Sequence, residues 1–93
     1  MSKPSVSVFF PCYNDEKTIG PLVRGANKIL DKAGAKYEVI VIDDGSTDNS
    51  RGELSKLSRE IKNLRLIFHR QNMGYGGALK SGFKSSKYDL IFY

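Results

Sequence analysis

Cysteine is nearly missing from this 93-residue chain: Cys12 stands alone, so no internal disulfide can staple the fold. Its ordinary reading is a small buried hydrophobe. Histidine also occurs once, at His69, with no Cys or His partner at metal-ligand spacing, which leaves it a structural role at a strand end. With a single histidine, neither Ser46 nor Cys12 falls into a recognisable nucleophile–base arrangement. Long hydrophobic runs are lacking too, since the longest, residues 39–42, stops at two aspartates, far short of the roughly 20 residues that span a bilayer. The N-terminus carries a lysine but no apolar core of the secretory-leader kind, so a cytoplasmic location is expected. Only three prolines stand against five tyrosines, five phenylalanines and nine glycines, which excludes collagen-like and disordered chains.

What is present fits one small soluble domain: 40% hydrophobic and 27% charged residues. The net charge of +5 suits a polyanion, whether nucleic acid, a phosphorylated substrate or an anionic membrane surface. The basic residues are spread along polar helix positions, however, and the aromatics do not form the interleaved surface of an RNA reader, so nucleic acid is not expected as a partner.

Residues 5–10 read as an apolar strand halted by Pro11, which has no amide for a ladder. Apolar residues at Ile19, Leu22, Val23, Ala26, Ile29, Leu30 and Ala33 then make a helical stripe, with Thr18 as its cap and Gly34 as its left-handed stop. Residues 37–42 form a second strand apolar on both faces, as in a parallel sheet covered by helices. Ser50-Arg51-Gly52-Glu53 has the spacing of a capping box opening a second helix through Leu54, Leu57 and Ile61. Residues 65–69 give a third strand, 72–77 a glycine-rich loop, 78–85 a short helix packing through Leu79, Gly82 and Phe83, and 88–93 a fourth strand. The order β-α-β-α-β-α-β predicts an α/β fold with an open parallel sheet and right-handed crossovers.

Ligands of such sheets bind beyond the carboxyl ends of the strands, and three distinctive segments fall there. After the first strand, Pro11-Cys12-Tyr13-Asn14-Asp15-Glu16 offers an aromatic face for a base and carboxylates that accept from a sugar, or simply a turn with helix-start acids. After the second, Asp43-Asp44-Gly45-Ser46-Thr47-Asp48 can cap its own loop, face a ligand or contribute oxygen to a hard cation such as Mg²⁺. After the third, Asn72-Met73-Gly74-Tyr75-Gly76-Gly77-Ala78 opens a helix on small residues, letting backbone amides approach phosphate or a neighbouring helix pack closely. It has neither the Lys-Ser/Thr of a P-loop nor the dinucleotide fingerprint, which belongs after the first strand.

In combination the three segments resemble the N-terminal nucleotide-binding half of family 2 glycosyltransferases with a GT-A fold. Pro11, Tyr13 and Asn14 match that family's Pro-x-Tyr-Asn-Glu, with Asp15 in place of the glutamate. The run from Ile42 to Asp48 is similar to its Val/Ile-Asp-Asp-Gly-Ser-x-Asp signature, and Asn72, Gly74, Gly76, Gly77 and Ala78 to its Asn-x-Gly-x-Gly-x-Ala helix start. Within the family, the glycine-rich segment and the last strand look most like enzymes that move hexoses to polyprenyl phosphates.

The resemblance implies a Rossmann-like half-fold with residues 1–93 as a single nucleotide-sugar-binding unit, a fragment stopping at the fourth strand. It implies Pro11, Tyr13 and Asp15 lining the nucleoside pocket, Ile42 and Asp44 closing around base and ribose, and Asn14, Asp43, Gly45 and Gly74 supporting the loops. The implied reaction is an inverting displacement at the anomeric carbon of a UDP- or GDP-hexose. A divalent cation, Mg or Mn, is expected in the complete enzyme, with its main ligands beyond residue 93 in an Asp-x-Asp motif. No catalytic or metal-binding residue is therefore expected within this chain, the acceptor site is expected outside it, and the fragment alone is expected to be inactive. The complete protein is expected in the cytoplasm or at the membrane surface.

The competing readings are a flavodoxin-like regulatory module that binds nucleotide or Mg, and a basic interaction domain. The regulatory module needs a lysine and a Ser/Thr at later strand ends, and the basic domain predicts binding that falls steeply with salt. A half-fold is also expected to self-associate through an exposed sheet edge.

Overall fold

A computed structural model of the chain describes residues 5–88 and 90–92. The elements are β1 (Ser5–Cys12), α1 (Ile19–Lys32), β2 (Lys36–Asp43), α2 (Ser50–Glu60), β3 (Leu64–Phe68), α3 (Gly74–Ser85) and β4 (Leu90–Phe92). All pairings are parallel and the sheet order is β3-β2-β1-β4. The α/β open parallel sheet expected from the sequence is thus the observed fold. The predicted fourth strand included residues 89 and 93, which lie outside the described residues, and Tyr88 precedes the strand.

Because β2 is central, both of its faces need cover, and its apolar run supplies it. Val39 and Val41 pack with Val23 of α1 and Leu54 and Leu57 of α2, whereas Ile40 and Ile42 pack with Phe9 and Ala78 on the α3 side. The alternation continues past the strands. The pairs Pro11↔Ile42 and Ile42↔Ile67 lie on the α3 face, so the next positions on that face are Tyr13, Asp44 and His69.

Four local readings are corrected. β1 does not stop before Pro11 but runs through it to Cys12. The Asp44 amide donates to the Cys12 carbonyl, so the preceding Pro11 turns its missing N–H away from β2, past the last described β4 partner. The α1 stripe is narrower than its apolar residues suggest: Ile19 and Val23 are buried, while Leu22 and Ile29, on one edge of the stripe, are 49% and 70% exposed.

Ser50 makes no capping box. It is the first residue of α2, and its hydroxyl accepts from the Asp15 amide instead, while Asp48 accepts from the Ser50 amide. The glycine-rich segment is not a loop either, since α3 begins at Gly74. The helix cost of its glycines is offset where Asp44 accepts from the Met73 amide and Asn72 from the Gly74 amide.

Candidate nucleotide site at the strand ends

The loop after β1 and the loop after β2 are stitched together by Asn14. Its side-chain oxygen accepts from the amides of Thr47 (2.7 Å) and Asp48 (3.2 Å), and its own amide donates to Ser46 Oγ (3.0 Å). Asn14 adopts a left-handed backbone at φ 52°, which asparagine tolerates better than most residues. The Asp15 and Glu16 amides extend the seam to Ser50 and Asp48. Asp48 is consequently held below the usual carboxylate range: the small desolvation it suffers would raise it, and the Ser50 and Glu16 bonds lower it.

Strand alternation separates the two aspartates. Asp43 is fully buried on the α2 side, where Ser46 Oγ donates to it at 2.5 Å and Arg51 Nε at 3.1 Å. Asp44 is on the α3 side, with Oδ1 accepting from the Met73 amide at 2.8 Å and paired with His69 Nδ1 at 2.7 Å. Burial alone would raise its pKa, but the His69 and Met73 bonds outweigh this and lower it, so the carboxylate is ionised at neutral pH.

Between these loops and the start of α3 lies a cavity of about 450 Å³. One wall is Pro11, Cys12, Tyr13 and Asp15; Asp44 stands at its β2 side; Asn72, Gly74, Tyr75 and Ala78 close it from α3. Tyr13 and Tyr75 are 47% and 63% exposed, and their rings offer flat apolar faces to a ligand. Nothing stands within 4 Å of where a Cβ would sit on Gly74 or Gly76, so α3 opens onto free space. Cys12 contributes packing only, because burial pushes its thiol up to about 11 and keeps it protonated.

Of the nine predicted site residues, five, Pro11, Tyr13, Asp15, Asp44 and Gly74, converge on this cavity. Ile42 does not: its side chain is fully buried against Phe9 and Ala78, because it points into the sheet–α3 core one layer below the strand ends. Asn14, Asp43 and Gly45 lie behind the wall, where Gly45 at φ 74° lets the chain pass against the Gln71–Asn72 backbone. Sequence reading missed Tyr75 and the connection from His69 to Asp44, although both follow from the period of the elements: Tyr75 stands in the first turn of α3 and His69 one position beyond β3. Among the described residues no group of three or more His, Cys, Asp or Glu is placed to hold a metal ion. Asp43 is committed to Ser46 and Arg51, so the donor set here does not fit a cation.

The family model for glycosyl transferase family 2 matches residues 7–93. Among solved structures, S. aureus TarS 1-349 is similar at 30% identity and a TM-score of 0.74, over 99% of this chain and 27% of that one. The mannosyltransferase PcManGT from Pyrobaculum calidifontis, solved in complex with GDP-Man and Mn²⁺, is similar at 23% identity and a TM-score of 0.73, over 97% of this chain and 26% of that one. The chain therefore spans about a quarter of the length of these two structures.

Proposed function

Starting from a chain that belongs to glycosyltransferase family 2, we propose that the cavity holds the nucleoside diphosphate part of a nucleotide-sugar donor, UDP- or GDP-hexose. The observation that carries this is an ionised, nearly buried carboxylate, Asp44, set between two exposed tyrosine rings and a glycine-built helix start. A base lies against the Tyr13 or Tyr75 face, and Asp44 accepts from a base N–H or a ribose hydroxyl, which disfavours bases lacking that donor. Asp15, on the β1 wall, is the second acceptor for the sugar of the nucleoside. The first-turn amides of α3 at Tyr75 and Gly76 have no intrahelical acceptor and face the positive helix end, where diphosphate oxygens are favoured.

The reading extends to the complete protein: displacement at the anomeric carbon with inversion, a divalent cation neutralising the leaving diphosphate, and a polyprenyl phosphate as acceptor at a membrane surface. What supports it is the motif resemblance together with the GDP-Man and Mn²⁺ that the PcManGT structure contains. The described residues do not themselves make the cation's site.

A ¹⁵N-amide NMR titration with UDP and with GDP, each with and without Mg²⁺, tests the donor site. Saturable shifts at 13–15, 44–45 and 74–76, weakened about tenfold or more by Asp44→Ala, are expected. A well-dispersed spectrum that responds to neither nucleotide would remove the reading.

A further inference from the structure

Resting on that donor-site reading, we infer that His69 is a positioning residue for nucleotide recognition: its ring fixes the Asp44 carboxylate and ties it to Ser81 of α3. The ring lies 9% exposed between Asp44 Oδ1 at 2.7 Å and Ser81 Oγ at 2.8 Å, and it is not part of the cavity wall. A carboxylate only accepts, so Nδ1 carries a proton toward Asp44. Nε2 then accepts the Ser81 hydroxyl proton in the neutral ring and donates in the imidazolium.

The backbone of His69 is held independently of its ring. Its amide donates to the Asp43 carbonyl at 2.9 Å, and Arg51 donates to its carbonyl at 2.8 Å. Strand pairing and α2 therefore deliver the imidazole to a fixed place, and the imidazole in turn fixes a group that does face the cavity. Both His69 and the Met73 amide act on Oδ1, so neither bond occupies Oδ2. An acceptor whose direction is set before the ligand arrives loses less on binding than one that must be ordered. Ser81 sits about two turns along α3 from the cavity-lining residues Gly74 and Tyr75, so the same ring holds α3 in register with Asp44.

The test measures UDP and GDP dissociation constants for the 93-residue chain by NMR or calorimetry. His69→Asn places an amide N–H near the Nδ1 position and is expected to bind within about threefold of the parent. His69→Gln, whose amide reaches the Nε2 position, and His69→Leu are expected to weaken binding roughly tenfold.

Action through Asp44 requires non-additivity, so Asp44→Ala with His69→Leu should bind no more weakly than Asp44→Ala alone. Additive losses, or a Gln variant that binds better than the Asn variant, would overturn the inference. If the Leu variant does not fold, the Asn–Gln contrast still decides. A parent chain that binds neither nucleotide overturns the donor-site reading and this inference together, whereas a parent that binds with all His69 variants unchanged overturns only the role of His69.

Discussion

Asp43 and Asp44 differ in surroundings by one step of strand alternation, and that step separates a loop anchor from a cavity acceptor. Removing Asp43 leaves the Arg51 and Ser46 donors beside a buried gap, so Asp43→Ala should cost about 2–4 kcal/mol in urea unfolding. Unchanged stability would mean that the loop is held by the Asn14 seam alone. Two glycines give a second contrast. Both Gly45 and Gly74 have positive φ, but a Cβ on Gly45 would stand 2.6 Å from the Asn72 nitrogen, and one on Gly74 would meet nothing within 4 Å. Gly45→Ala should therefore cost about 2–4 kcal/mol, combining left-handed strain with overpacking. Gly74→Ala should cost only about 1–2 kcal/mol, the strain alone. Denaturation midpoints of the two variants, compared at equal slope, decide this; equal losses would remove the close approach as the cause.

α3 is the element on which sequence and structure part most usefully. Its stretch from Gly74 reads as a loop because glycine is a poor helix former, yet it is helical: Asp44, from the end of β2, holds the Met73 amide just before the helix, and the neighbouring Asn72 holds the Gly74 amide. The Asp44 acceptor is invisible to a local window. Ser50 illustrates the same limit: its spacing to Glu53 is that of a capping box, but the Asp15 amide, 35 residues away in sequence, donates to its hydroxyl.

What a local window does carry was readable. The two-faced apolar β2, the left-handed Gly34 at φ 70° after α1, and the concentration of polar motifs at strand ends follow from period and turn chemistry alone. Ile42, which the resemblance puts around base and ribose, is buried in the core instead, since a motif position does not say which layer its side chain enters. Gly82 gives the element-scale prediction. A Cβ there would overlap the Phe9 ring, itself packed edge-on to Phe83 at 5.1 Å. Gly82→Ala should push α3 off the sheet at a cost of about 1–3 kcal/mol, seen as a lowered midpoint together with shifts at Phe9 and Ala78. A silent substitution would mean that the Phe9 ring can turn aside freely.

At the scale of the molecule, α3 is the one helix on its face of the sheet among the described residues, and polar anchors hold it along its length. Asp44 holds the Met73 amide at its start and His69 meets Ser81 about two turns in; near its end, Glu38 of β2 receives Ser7 Oγ at 2.6 Å, Arg65 at 2.6 Å and the Lys87 amide at 2.8 Å, while Arg65 also donates to the Ser85 carbonyl. Burial alone would raise the Glu38 pKa, but the Lys87, Ser7 and Arg65 bonds and the Arg65 charge lower it below its ordinary 4.5. Asp44 is likewise lowered from 3.8.

A carboxylate depressed in the folded state is protonated first in the unfolded chain. Its contribution is therefore complete above the unfolded pKa and is lost as pH falls through the folded one. Stability should hold down to pH 4.5 and then fall increasingly below it, Glu38 contributing first and Asp44 joining below 3.8. Glu38→Gln keeps the shape but removes the titrating group, so the variant should start less stable near neutral pH and lose less on acidification. Urea unfolding at about pH 6 and about pH 3.5 for both proteins measures the difference in slope. Curves that fall in parallel would show that Glu38 does not carry the acid sensitivity, leaving Asp44 as the anchor of α3 that titrates.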